Sequence, residues 1–453
     1  MLHRRFGVWA AIAMIVAEVT GVGIFLTPAG MVRTLANPAW VLGVWALIGL
    51  LSVAGAVCYA ELGTRFPEAG GGFVFLREAF GERTAFVYGW MSLLVMDPGL
   101  TAALAVGLAQ YVLALLGGPA SLVPVVAIVS IILMSIVSIL GVENSARVMR
   151  WTAAAKLGVV VVLVAAVLVR ADAGSATAVA GTSALPSFQV LGGALMGAFF
   201  AFGGWWDLGK MSEEIVEPKR TLPVALVGGI VVVTVVYAGL SVAFMRVLGG
   251  AAPATDDAFV IALGSALFGS AAGRLLAAAV VIAVAGSLAA VLLGAPRVYL
   301  AMARAGLFPS ALVRFHPQRQ SAPLATLVQV VLACLLVTLG TFDQILGYFV
   351  PAAVFFLGLS AAAILVVPRP SSAPGVFRAP AHPLPIVVFL VLVAAIVVLF
   401  AVARPLQTLT SAIVIGLGIP VGWLIIRQRA PMSVNAAISS RSTEANALHD
   451  SVL

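Results

Sequence analysis

Apolar runs of about twenty residues or more, separated by short polar or glycine- and proline-rich stretches, recur along almost the whole chain. Taken as helices, they place spans at about 8–30, 40–64, 84–116, 122–141, 150–170, 189–211, 222–246, 273–298, 322–340, 345–367, 384–403 and 407–427. A helix needs about 20 such residues to cross a bilayer. The pattern therefore predicts an all-α polytopic membrane protein with about twelve transmembrane helices. Residues 1–430 form its single domain, and 431–453 read as a polar, disordered cytoplasmic tail. Between the second and third spans, the mixture of glycines, aromatics and charges from Phe66 to Gly81 predicts a loop and a short amphipathic helix at the membrane surface. A phosphate-binding glycine loop is disfavoured there, because neither a Lys-Ser/Thr sequel nor a preceding soluble strand is present. Residues 171–188 and 247–272 read as outer loops, the second containing a short helix.

Two spans are interrupted. The first carries Glu18-Val19-Thr20-Gly21-Val22-Gly23-Ile24-Phe25 at its middle, with two glycines one residue apart beside a threonine and a carboxylate. Gly costs about 1 kcal/mol relative to Ala inside a helix, and hydrocarbon offers no substitute partner for released backbone groups. Close helix packing is one explanation of such glycines. A second interruption, Phe200-Ala201-Phe202-Gly203-Gly204-Trp205, stands at the corresponding place in a second set of spans. Paired breaks of this kind mark the substrate site of a transporter, where unwound backbone faces the ligand. The candidate substrate contacts are thus Thr20, Gly21, Val22, Gly23 and Ile24 at the first break. At the second they are Phe200, Ala201, Phe202, Gly203, Trp205 and Trp206, whose aromatics read as a lid over an apolar side chain.

Ionisable residues at membrane depth cost about 2.5–3.5 kcal/mol on insertion scales, so each is a functional candidate. Four stand out: Glu18, Asp97, Lys156 and Asp207. Lys156 lies in Ala153-Ala154-Ala155-Lys156-Leu157, six residues beyond Arg150. It reads either as a fixed cation in place of a sodium ion or as a proton carrier, with snorkelling to the surface as the plain alternative. Glu18 is expected to pair with a cation or take a proton, or to form a structural ion pair. Asp97, beside Pro98, either lines the cavity or makes a buried helix contact. Asp207, after Trp205-Trp206, reads as a gate residue or as part of a solvated face near the inner mouth. Glu213, Glu214, Glu217, Lys219 and Arg220 read as a cytoplasmic latch or charge cluster.

Composition narrows the class further. The chain is 453 residues long, 62% hydrophobic and 9% charged, with a mean hydropathy of +1.15. Soluble domains are nearer 45–50% apolar and about 25% charged. The net charge of +8 does not point to nucleic acid, because the basic residues are distributed by topology. Nineteen fall in segments on the side of the N-terminus, Lys210 counted among them, against Arg33, Arg170, Arg246, Arg274 and Arg404 on the other. The positive-inside rule then predicts both termini in the cytoplasm, and the expected location is a plasma membrane, of the bacterial inner-membrane kind. The first span lacks a small-residue cleavage site and is followed at once by another, so it does not read as a signal peptide. Cys58 and Cys334 both fall in spans, so no disulfide or thiol–metal site is expected. The four histidines show no ligand spacing, and no metal, cofactor, catalytic residue or nucleophile pair is predicted. A channel would need a continuous polar lining, and a nutrient sensor a signalling domain.

Cys58-Tyr59-Ala60-Glu61-Leu62-Gly63-Thr64, Ala153-Ala154-Ala155-Lys156-Leu157, Phe200-Ala201-Phe202-Gly203-Gly204-Trp205, Ser212-Glu213-Glu214-Ile215 with Pro218 and Leu222-Pro223, and His316-Pro317 occur in that order. Together they resemble the L-type amino acid transporters of the amino acid–polyamine–organocation superfamily, from about Trp9 to Pro323. The resemblance implies a LeuT-type fold with inverted repeats over 8–170 and 189–367 and two further helices over 384–427. It implies that backbone N–H groups of Gly21, Val22 and Gly23 hold the substrate carboxylate, and that carbonyls near Phe200, Ala201 and Phe202 meet the ammonium. It makes Phe200 the gating aromatic, Lys156 the replacement for sodium, and Gly286-Ser287 the neighbouring wall. Val22 departs from the Ser or Thr often found between the glycines, and Trp206, Asp207, Asp97 and Glu18 depart too. Animal members pair with a glycoprotein through a cysteine that the loop Gly117–Ser121 lacks, so a monomer or weak homo-oligomer is expected. The implied activity is sodium-independent transport of neutral L-amino acids by alternating access, as an exchanger or proton symporter. A carrier of cationic amino acids or polyamines is the alternative.

Overall fold

The computed structural model describes residues 6–21, 23–68, 70–140, 151–152, 156, 158–159, 161–163, 165, 185–248, 259–309, 322–368 and 376–450. The first span is two half-helices, α1 (Val8–Val19) and α2 (Gly23–Leu35). Asn37 caps α3 (Pro38–Arg65), its side chain accepting from the Ala39 N–H at 2.9 Å. The third span is α4 (Gly72–Met91), a π-turn at Ser92–Met96, and α5 (Asp97–Leu116). Gly81, at φ +83°, kinks α4 and sets off its first nine residues, the short helix predicted before the third span. Those residues bury Phe73, Val74, Phe75 and Leu76 in the core.

The fourth span is α6 (Val123–Ile139), and the fifth, α7, is helical at 151–152, 156, 158–159, 161–163 and 165. The sixth is α8 (Phe188–Ala201), a turn, and a 3-10 helix at Trp205–Glu214. Then come α9 (Pro218–Leu248), α10 (Phe259–Phe268), α11 (Ser270–Gly294) and α12 (Pro296–Arg304). The last four are α13 (Pro323–Leu339), α14 (Phe342–Val366), α15 (Leu384–Ala403) and α16 (Pro405–Asp450). The helix α16 runs on through 431–450, the stretch expected to be disordered. Beyond Pro431 that stretch holds neither proline nor glycine to stop it.

Nine helices among the described residues are long and apolar enough to cross a membrane. Large apolar side chains such as Val129, Val235 and Val398 point outward, as a lipid-facing surface requires. Inside, α2 packs on α8, α3 on α9, and α5 on α11. The first, second and third spans thus each meet the span five places further on. This places both breaks at the centre of the bundle.

Candidate functional site

The two breaks touch. The helix α1 ends where the Thr20 hydroxyl turns back to donate to the Val16 carbonyl, and the Gly21 N–H closes on Val19 O at 2.6 Å. A threonine hydroxyl bonded to its own preceding turn competes with the regular ladder. At the second break the Phe202 N–H reaches Ala198 O, the Gly203 N–H reaches Phe200 O at 2.9 Å, and Gly204 adopts φ +109°. Glycine takes that conformation without penalty. Both glycine-rich turns also serve close approach. A Cβ on Gly23 would stand 2.5 Å from Ala201 Cα, and one on Gly204 would stand 2.7 Å from Glu18 Cγ.

Tyr237, fully buried on α9, joins the two breaks through one hydroxyl, 2.8 Å from Val19 O and 2.9 Å from Ala201 O. Tyr111 of α5 likewise donates to Phe25 O at 2.7 Å, fixing the first turn of α2. Neither tyrosine was singled out by pattern. Tyr237 does stand out as the aromatic hydroxyl in Val231-Val232-Val233-Thr234-Val235-Val236-Tyr237, but sequence alone does not say what it faces.

Beside the crossing lies a chamber of about 20 Å³ walled by Glu18, Gly21, Gly23, Leu100, Leu104, Phe200, Gly203, Gly204, Ser287 and Val291. That is room for about one water, so the site is closed in this conformation. Leu100 and Leu104 come from one face of α5 by their spacing of four. Phe200 roofs the chamber, edge-on to Phe342 at 5.4 Å and to Phe349 at 6.1 Å between ring centroids. Beyond that roof a cavity of about 360 Å³ opens between α2, α8 and α14, with Arg33, Asp343 and Arg404 at its walls.

Lys156 is 2% exposed, and its Nζ donates to Ser287 Oγ at 2.6 Å. A Cβ on Gly21 would stand 3.6 Å from that same hydroxyl. The fifth, eighth and first spans therefore meet at Ser287. Gly286 makes the meeting close, since a Cβ there would overlap Thr152 Oγ1 at 1.8 Å.

On the N-terminal side of the chamber Asp97, Lys210, Asp207 and Glu18 form one layer. Asp97 Oδ2 accepts from the Tyr299 hydroxyl at 2.7 Å, and Lys210 Nζ lies 2.8 Å from Asp207 Oδ1 and 3.7 Å from Asp97 Oδ1. Glu18 packs beside the turn that leads to Asp207, its Cγ 2.7 Å from where a Cβ on Gly204 would stand. Lys210 is a correction to the sequence reading, which set it among loop cations. It is 5% exposed, because the 3-10 helix folds Trp205–Glu214 back into the bundle where a straight span would have carried it out. Asp207, 7% exposed, is likewise removed from the solvated face. Next to this layer, Tyr59, Tyr88, Trp206 and Lys210 border a small void of about 10 Å³. Past it, Phe6 and Ile215 form a parallel bridge, the Val216 N–H donating to Phe6 O at 2.9 Å.

Of the aromatics expected to form a lid, only Phe200 walls the chamber. Phe202 packs on Trp45 and Tyr237, Trp205 on Tyr59, and Trp206 on Phe199 and Trp205. Thr20, Ile24 and Ala201 are buried at the breaks without lining the chamber, and Val22 lies outside the described residues.

The comparisons with known proteins agree with one another. Residues 6–425 match the amino acid permease family. The serine/threonine exchanger SteT of Bacillus subtilis (strain 168) is 27% identical over 347 residues, 76% of this chain and 78% of its own. The b(0,+)-type amino acid transporter 1 of Mus musculus is 28% identical over 374 residues, 81% and 76% of the two chains. The large neutral amino acids transporter small subunit 2 of Homo sapiens is 28% identical over 385 residues, 82% and 72%. With two broken helices crossing at the centre of an all-α membrane bundle, the chain belongs to the amino acid permease family and is a secondary transporter of amino acids.

Proposed function

We propose that the protein carries neutral L-amino acids across a plasma membrane by alternating access, without sodium, by exchange or proton-linked uptake. The observation that carries this reading is the chemistry of the chamber. The beginning of α2 at Gly23 offers the positive end of a helix to a carboxylate. The carbonyls of Phe200 and Ala201 each accept one hydrogen bond inside the protein and retain a second lone pair for an ammonium group. The side-chain end is bounded by Leu100, Leu104, Val291 and Phe200, which suit a compact uncharged side chain. SteT, named for serine and threonine, is in keeping with that size.

Sodium independence is supported by Lys156, whose ammonium already stands against Ser287 beside the first break. A cationic substrate would need free carboxylates, and Asp97 and Asp207 both face Lys210. Glu18 on the chamber wall is the one observation in favour of the cationic alternative. The excess of basic residues on the N-terminal side supports a cytoplasmic placement of that side. The 360 Å³ cavity then opens outward, above the Phe200 roof. Without a cysteine in Gly117–Ser121, we propose a carrier that works without a disulfide-linked subunit, and with no enzymatic step.

Uptake of a radiolabelled amino acid mixture into sodium-free proteoliposomes tests the reading. Uptake of neutral amino acids, stimulated by unlabelled amino acid inside, supports it. Strict dependence on added sodium, or uptake confined to lysine or putrescine, sinks it.

A further inference from the structure

Glu18 on α1 packs on the turn that carries Asp207: a Cβ on Gly204 would stand 2.7 Å from Glu18 Cγ, and the Asp207 N–H donates to Gly204 O at 2.8 Å, which brings the two carboxyl groups within reach of each other. Ionised carboxylates only accept hydrogen bonds, so a bond between these two forms only when one of them is protonated. Asp207 Oδ1 adds a second observation. It is buried beside Lys210 Nζ, yet receives no well-directed hydrogen bond. Among the described residues, the charged groups around the pair are Lys210 on the same element as Asp207, Asp97 from α5 and Lys156 from α7. The hydroxyls of Tyr59 on α3, Tyr88 on α4 and Tyr299 on α12 complete the surroundings. Among the described residues, three carboxylates stand against two ammonium groups in this set, one negative charge in excess. A single added proton makes it neutral, which a buried ionic cluster strongly favours.

We propose that Glu18 and Asp207 form a proton-binding site, separate from Lys156, that couples proton entry to amino acid transport. The inference rests on the transporter reading above. Glu18 also walls the chamber, so a proton arriving with substrate through the outer cavity reaches the pair from that side. The shared proton holds α1 against the 3-10 helix and closes the inner side. When these two elements part, water enters, the two carboxyl groups separate, and the proton leaves toward the cytoplasm. No bond other than O–H is made or broken.

Two measurements test the site, one of them independent of transport. Infrared difference spectra of the purified protein at neutral pH, wild type minus Glu18→Gln, are expected to show the carbonyl band of a buried protonated carboxylic acid, shifted in heavy water. Asp207→Asn is expected to remove the same band. Its absence from the wild type overturns the site whether or not the substrate assignment stands. In proteoliposomes, an inward gradient of one pH unit corresponds to about tenfold accumulation for one coupled proton. The ratio of uptake with and without the gradient is expected to rise severalfold in the wild type and to fall to one in both variants. A ratio that survives in both but vanishes in Lys156→Met assigns the proton to Lys156 and overturns the proposal.

Discussion

Gly23 and Ala201 meet backbone to backbone, so close that a Cβ on Gly23 would stand 2.5 Å from Ala201 Cα. Nothing flexible lies between them to yield, and overpacking of this kind costs about 1–3 kcal/mol. Gly23→Ala is expected to push the two breaks apart and abolish uptake in proteoliposomes. Gly21→Ala is the control, since its Cβ would find its nearest neighbours at 3.6–3.7 Å. That variant should keep measurable transport. Wild-type activity of Gly23→Ala would mean that this close crossing is not needed for transport.

The Tyr237 hydroxyl spans the same crossing from the other side, within 2.9 Å of one carbonyl from each break. Tyr237→Phe keeps the ring among Trp45 and Phe202 and removes only that link. A buried acceptor left without its partner costs about 1–3 kcal/mol. The variant should unfold at lower temperature in detergent, and amino acid should restore part of the loss by binding the closed crossing. A wild-type melting temperature would show the link to be idle.

The two breaks were legible in the sequence because glycine pairs inside apolar runs violate a strong local preference. Lys156 was legible for a similar reason, being a lone cation among alanines and valines. Lys210 was not. Its neighbours Ser212, Glu213 and Glu214 read as the start of a solvated loop, and only the 3-10 path of Trp205–Glu214 returns it to the bundle. The aromatics of the second break were recognised as a cluster, but sequence spacing does not separate Phe200, which roofs the chamber, from Phe202, which packs beside Tyr237. Their division depends on the turn at Gly203-Gly204, whose φ of +109° at Gly204 reorients everything after it.

Phe200 closes the chamber against Phe342 and Phe349 from α14. Aromatic pairs of this kind contribute about 0.5–1.5 kcal/mol each beyond their buried area. Phe200→Ala removes both, and the occluded state should weaken by about tenfold or more in apparent affinity. The effect belongs in KM and in the rate of exchange, with expression and folding retained. Unchanged transport kinetics would place the outer gate elsewhere.

Lys156 and Ser287 should behave as a unit. Ser287→Ala removes the hydroxyl that the buried Lys156 ammonium reaches at 2.6 Å, whereas Lys156→Met with Ser287→Ala removes the charge as well. Hydrogen bonds to charged groups are worth about 1.5–3 kcal/mol. A double-mutant cycle on thermal stability should return a coupling energy of that order. Additive losses would mean that the 2.6 Å contact contributes nothing to holding α7 against α11.

Lys210 gives the sharpest contrast between a surface charge and a buried one. If it were one of the loop cations, Lys210→Met would resemble the same change at exposed Lys219, a loss too small to resolve. Buried between Asp207 and Asp97, it instead leaves two carboxylates without their countercharge when removed. Breaking a buried pair from one side costs about 3–5 kcal/mol. Lys210→Met should therefore lower the melting temperature markedly. Adding Asp97→Asn should restore part of it, because the asparagine still accepts from the Tyr299 hydroxyl and carries no charge. Recovery of stability without recovery of uptake would show that the ionic layer serves the transport cycle beyond holding the bundle together. Recovery of both would confine Lys210 to neutralising the carboxylates around it.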